Sequence, residues 1–88
     1  MQSLVESLEH SRTCVRWFAM GEAMRIDESI RLVLEEYQKK QTKANRKRVL
    51  EIAIITAKFL SSQGSKESRT IGRELSNQIF RLKLEGSI

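Results

Sequence analysis

The sequence predicts a single all-α domain of four helices over residues 1–88, and three observations support this. The chain contains no proline, so no residue in it forces a helix to break. Apolar residues recur every three to four positions in four separate segments, which is the period of an amphipathic helix. No segment alternates apolar and polar residues, and the chain has no Asn-Gly or Asp-Gly pair that would turn a β-hairpin.

The first helix is predicted to run from about Ser3 to Ala19. Ser3 is followed three residues later by Glu6, which fits a capping box at a helix N-terminus. One face of this helix is apolar and consists of Leu4, Val5, Leu8, Val15, Phe18 and Ala19. Trp17 and Met20 fall away from that face.

Gly21 is expected to interrupt the chain, and the second helix is predicted to begin near Asp27, a favourable N-cap residue. Its apolar stripe is the clearest in the sequence and consists of Ile26, Ile30, Val33, Leu34 and Tyr37. Charged residues, among them Glu28, Arg31 and Glu35, occupy the opposite face.

The third helix is predicted over about residues 45–63, with Gly64 as its C-terminal stop. Thr42 is an alternative N-cap, which would start the helix earlier. Apolar residues cover more than half of its circumference, as is typical of a buried helix. We therefore predict a compact four-helix domain in which helix three is central and mostly buried.

The fourth helix is predicted from about Ser68 to Glu85 and is ended by Gly86. Its core stripe consists of Ile71, Leu75, Ile79 and Leu82, and a second apolar stripe contains Phe80 and Leu84. Four large residues thus lie off the predicted core faces: Trp17, Met20, Phe80 and Leu84. Large apolar groups at a surface usually mark an interface, so we predict a homodimer or burial of these residues against a protein partner.

The net charge of +5 is concentrated in one short segment. Residues 1–37 carry a net charge of −3, whereas residues 38–48 contain six bases and no acid. These six bases are Lys39, Lys40, Lys43, Arg46, Lys47 and Arg48. Such a cluster attracts phosphate groups in a salt-dependent manner. Lys66, Arg69 and Arg73 could extend the cationic surface if the fold brings the two inter-helix connections together.

Enzymatic chemistry is not predicted. His10 is the only histidine and Cys14 the only cysteine, so no Ser-His-Asp set or multi-cysteine zinc site can be assembled from other residues. No phosphate-binding glycine loop occurs, and no metal or cofactor is expected. No apolar run is long enough to span a membrane, and the acidic N-terminal residues do not resemble a signal peptide. We expect an intracellular protein without a membrane or small-molecule partner.

Two functions remain open. The first is a small regulatory or accessory protein that binds nucleic acid, through phosphate contacts at residues 39–48, as a homodimer. The alternative is a protein-protein interaction module, such as an adaptor, chaperone or inhibitor, that uses the off-core apolar residues. The connection before helix four is longer than the 3–4-residue turn of a helix-turn-helix motif. Tyr37 belongs to a core stripe and Trp17 has acidic neighbours, so the sequence does not predict single-strand recognition.

Overall fold

The chain folds into four α-helices joined by short connections. The computed structural model describes residues 4–18 and 21–84, apart from the side chain of Leu84, and contains no strand within them. The helices are α1 (Leu4–Arg16), α2 (Glu22–Lys39), α3 (Lys43–Ser61) and α4 (Lys66–Leu84). The radius of gyration of 12.3 Å matches the roughly 12 Å expected of a compact chain of this length. The predicted compact all-α domain of four helices is confirmed.

Successive helices pack side by side in opposite directions, and α4 returns to pack against α1. Asp27 near the start of α2 pairs with Arg12 near the end of α1. Cys14, also near the end of α1, lies 3.6 Å (Sγ to Oγ) from Ser68 at the start of α4. The bundle therefore has two distinct ends. The α2–α3 connection lies at one end with the start of α1 and the end of α4, and the other two connections lie at the opposite end.

The core is formed by the predicted stripes. The fully buried apolar residues include Leu8, Val15, Ile30, Ala53, Leu60 and Leu75. Phe18 and Phe59 close one end of the core with an edge-to-face contact, 5.8 Å between ring centroids. The buried hydroxyl groups belong to Ser11, Thr56 and Ser68, and no buried polar side-chain atom of the described residues is left without a partner. The interior is thus apolar and its few polar groups are satisfied.

The prediction that α2 begins near Asp27 is wrong, because α2 begins at Glu22. Gly21 adopts a positive φ of 54°, which turns the chain there, and no later residue prevents the helix from starting at once. Asp27 consequently lies inside α2, where its Oδ1 accepts a 2.6 Å hydrogen bond from Arg12 Nε. Of the two predicted starts of α3, the earlier one is observed: α3 begins at Lys43 with Thr42 as its N-cap. The Thr42 hydroxyl oxygen accepts a hydrogen bond from the Asn45 N–H at 3.1 Å.

The structure does not single out α3 as the central helix. Both α3 and α1 contact all three other helices, whereas α2 and α4 do not touch within the described residues. The exposed arc of α3 is also wider than predicted, because Ile55 is 50% exposed. Four helices arranged in a ring each bury one face, so none of them can be enclosed all round. The capping box at Ser3, the stop at Gly86 and the surface role of Met20 fall outside the described residues.

Candidate nucleic-acid interface

The connection between α2 and α3, which we call the elbow (residues 39–48), is held in a defined shape by Asn45. The Asn45 Nδ2 donates to the backbone carbonyl oxygens of Lys40, at 2.7 Å, and of Glu36, at 3.3 Å. The Glu36 oxygen also accepts from the Lys40 N–H at 3.0 Å, whereas the oxygen of Lys40, the C-cap of α2, lies beyond the helix and has no intrahelical partner. With Thr42 capping α3, the two helix ends are fixed to each other, and the six bases in and beside the connection project from an ordered backbone.

All six bases of the elbow are exposed. None of the six forms an ion pair with any residue that the structure describes. Lys39 and Lys40 lie at the C-terminus of α2, where positive charge complements the helix dipole. Lys43 and Arg46 lie at the N-terminus of α3, which has no acid in its first turn. Because positive charge is unfavourable at a helix N-terminus, each of these two side chains lowers the stability of α3 by about 0.3–1 kcal/mol. A bound anion would offset this unfavourable interaction.

The six bases do not all face the same way. Lys43 and Lys47 are four residues apart and therefore share one side of α3. Arg48 instead lines a groove between α2 and α3, where Glu36 and Glu51 are also present. The elbow therefore offers phosphate contacts on more than one side rather than a single flat patch.

Two further bases, Arg81 and Lys83, lie in the last turn of α4 and therefore at the elbow end of the bundle. Sequence reasoning missed them because their position depends on the antiparallel return of α4. Lys66, Arg69 and Arg73 do not join the elbow. They lie in the first two turns of α4, toward the opposite end of the bundle, whereas the elbow lies at the other end of α3, whose 19 residues span about 28 Å.

The two predicted interface residues whose side chains the structure describes, Trp17 and Phe80, do not form one patch, and the side chains of Met20 and Leu84 fall outside the described part of the chain. Trp17 is 59% and Phe80 is 63% exposed, but Trp17 follows α1 at one end of the bundle and Phe80 lies near the other end. Two further large apolar residues, Leu32 and Ile55, are about half exposed. These two line the groove between α2 and α3, which has a volume of about 370 Å³.

The two residues weighed for catalysis lie apart from the elbow. His10 is exposed on α1, and Cys14 is buried against Ser68. Within the described part of the chain, no three His, Cys, Asp or Glu residues come together as a metal site would require. No helix among the described residues is both long and apolar enough to cross a membrane.

Comparison with known proteins adds no assignment. No model of a protein family, no curated protein sequence and no solved structure matches this chain.

Proposed function

We propose that this protein binds nucleic acid by contacting the phosphate backbone with the elbow. The observation that supports this proposal most directly is the set of six exposed bases, which form no ion pair with the described residues and lie in or beside a turn clamped by Asn45. Arg81 and Lys83 add positive charge at the same end of the bundle.

The physical basis is release of the counterions that surround a polynucleotide. Each phosphate neutralised by Lys or Arg steepens the fall of affinity with salt, with a slope of log K against log[salt] of roughly −0.9 per contact for duplex DNA. Four to six contacts from the elbow predict a slope of about −4 to −5. Binding of this kind positions the protein on the backbone and does not by itself read a sequence.

The test is a salt titration of binding with the variant Lys43→Gln/Arg46→Gln/Lys47→Gln. We expect affinity for labelled duplex DNA or RNA to fall by more than tenfold at moderate salt, and the slope to become less negative by about 2–3. These side chains are exposed, so the melting temperature should not fall.

The matched control removes three exposed arginines that lie outside the elbow, as Arg16→Gln/Arg25→Gln/Arg31→Gln. This variant has the same net charge as the elbow variant but keeps the elbow intact. Equal loss of binding in the two variants would attribute the attraction to overall charge, and unchanged binding in the elbow variant would refute the proposal.

A second candidate function is protein-protein interaction, including homodimerisation. The observation that favours it is the groove between α2 and α3, where Leu32 and Ile55 are each about half exposed. If this groove joins two copies, light scattering should give twice the monomer mass of 10.2 kDa, and Leu32→Ser/Ile55→Ser should restore the monomer. A wild-type chain that stays at 10.2 kDa at high concentration would exclude the homodimer.

A further inference from the structure

A second basic surface runs along the outside of α3 and α4, and on α4 it follows one helix face. The members of this face recur at steps of four and three residues, which places them on one side of the helix. They are Arg69, Arg73, Ser76, Phe80 and Lys83, and all are exposed. The acids of α4 lie elsewhere. Glu74 lines a small cavity against α1, and Glu67, seven residues earlier, shares its side.

A matching face runs along α3. Helical spacing also places Lys43, Lys47, Ile54, Lys58 and Ser61 on one side of α3, with the buried Leu50 between Lys47 and Ile54. Glu51 is the only acid in α3, and it lines the groove on the α2 side. Glu51 follows Lys47 by four residues and therefore borders the α3 face on its α2 side, where the three bases of the face outnumber it.

The two faces adjoin because α3 and α4 approach each other closely. A side-chain carbon added at Gly72 would lie 2.7 Å from the Oγ of Ser61, which belongs to the α3 face, and 3.1 Å from the Ala57 carbonyl oxygen. Gly72 in turn lies three residues after Arg69 and four before Ser76. The joined surface, which we call the α3–α4 face, carries six bases: Lys43, Lys47, Lys58, Arg69, Arg73 and Lys83.

The dimensions of the α3–α4 face suit a short stretch of polynucleotide. Lys47 to Ser61 and Arg69 to Lys83 each span fourteen residues of helix, or about 21 Å. Nucleobases stacked at about 3.4 Å per nucleotide would place roughly six nucleotides along this length. A site of that size falls in the range of known single-strand binders, about 4–16 nucleotides.

Phe80 indicates which form of nucleic acid fits. Phe80 is 63% exposed and lies three residues before Lys83 and seven after Arg73, on the α4 face that carries three of the six bases. An exposed aromatic ring among basic side chains stacks on an unpaired nucleobase, whereas the nucleobases of a duplex are already stacked on one another. We propose that the α3–α4 face binds a single-stranded polynucleotide. Phe80 stacks on a nucleobase, and the six Lys and Arg residues contact phosphates.

This proposal rests on the proposed function, because Lys43 and Lys47 belong to both surfaces. It adds a preference for single strands and a contribution from α4. The test therefore uses residues outside the elbow. Fluorescence anisotropy would measure the affinity of Phe80→Ala for labelled oligo(dT), oligo(U) and a mixed-sequence duplex of about 12 nucleotides per strand.

We expect Phe80→Ala to weaken binding of the single strands roughly 5- to 150-fold, with duplex binding and the salt slope nearly unchanged. Phe80→Trp should retain the affinity. Trp17→Ala is the matched control, since Trp17 is similarly exposed but follows α1 at the other end of the bundle, and it should bind as the wild type does. The oligo(dT) and oligo(U) arms distinguish DNA from RNA as the ligand.

A charge variant tests the α4 contribution separately. Lys58→Gln/Arg69→Gln/Arg73→Gln should make the single-strand salt slope less negative by about 2. Wild-type single-strand affinity in both Phe80→Ala and this variant, together with lost binding in the elbow variant, would overturn the α3–α4 proposal and leave the elbow proposal standing. A wild-type protein that binds neither strands nor duplex would overturn both.

Discussion

Gly72 provides a sharp test of how closely α3 and α4 pack. In an open helix interior, replacing Gly with Ala raises the free energy of unfolding by about 1 kcal/mol, because alanine loses less backbone entropy. Gly72 lies inside α4, so helix propensity alone predicts that Gly72→Ala is stabilising. We expect the opposite result, because the new methyl group has no room.

The magnitude follows from the three atoms that the methyl group would meet. It would lie 2.7 Å from Ser61 Oγ, 3.0 Å from the Ser61 backbone nitrogen and 3.1 Å from the Ala57 carbonyl oxygen. The hydroxyl can rotate away, but the two backbone atoms move only if α3 is displaced. Overpacking of this kind costs about 1–3 kcal/mol. After the propensity gain is subtracted, Gly72→Ala should lower the free energy of unfolding by about 1 kcal/mol.

Thermal unfolding followed by circular dichroism would show this change as a fall in melting temperature of about 4–8 °C. Adding Ser61→Ala removes the nearest atom and should recover part of the loss. Gly64→Ala is the matched control, because the same methyl group at Gly64 meets nothing within 4 Å. A melting temperature that rises for Gly72→Ala would show that the helices are farther apart and would remove the basis for a continuous α3–α4 face.

Four other substitutions test the elbow, the core and an inter-helix ion pair. Asn45→Ala removes both hydrogen bonds that clamp the elbow and should lower the free energy of unfolding, measured by urea denaturation, by about 1–2 kcal/mol. An unchanged denaturation midpoint would contradict the clamp. Leu8→Ala should lower the free energy of unfolding by about 2–5 kcal/mol in the same assay, because Leu8 is fully buried. Leu32 is half exposed, so Leu32→Ala should lower it by less than about 1 kcal/mol. Similar losses in the two variants would refute the assigned core. Asp27→Asn weakens the pair with Arg12 and should lower stability by about 1 kcal/mol at low salt. That loss should shrink in 1 M NaCl as screening increases, and a loss independent of salt would mean that the charge of Asp27 does not matter.

Much of the candidate site could be listed from the sequence, but its arrangement could not. The density of bases at residues 39–48 is visible in the chain, and all six are exposed in the structure. The clamp by Asn45 was not visible, because it depends on where α2 ends relative to α3. The role proposed for Phe80 was also not visible, since its basic neighbours on α3 are more than twenty residues away in the chain.

The sequence by itself determined the class of the fold, the number of helices and most of their buried faces. Ile30, Leu34 and Leu75 are buried as their spacing predicts, because the helix period is a local property of the backbone. The tertiary structure alone decided that Asp27 pairs with Arg12, that Gly72 meets α3, and that Trp17 and Phe80 lie near opposite ends. Periodicity specifies the angle of each residue around its own helix, whereas the meeting of two faces depends on how the helices pack against one another.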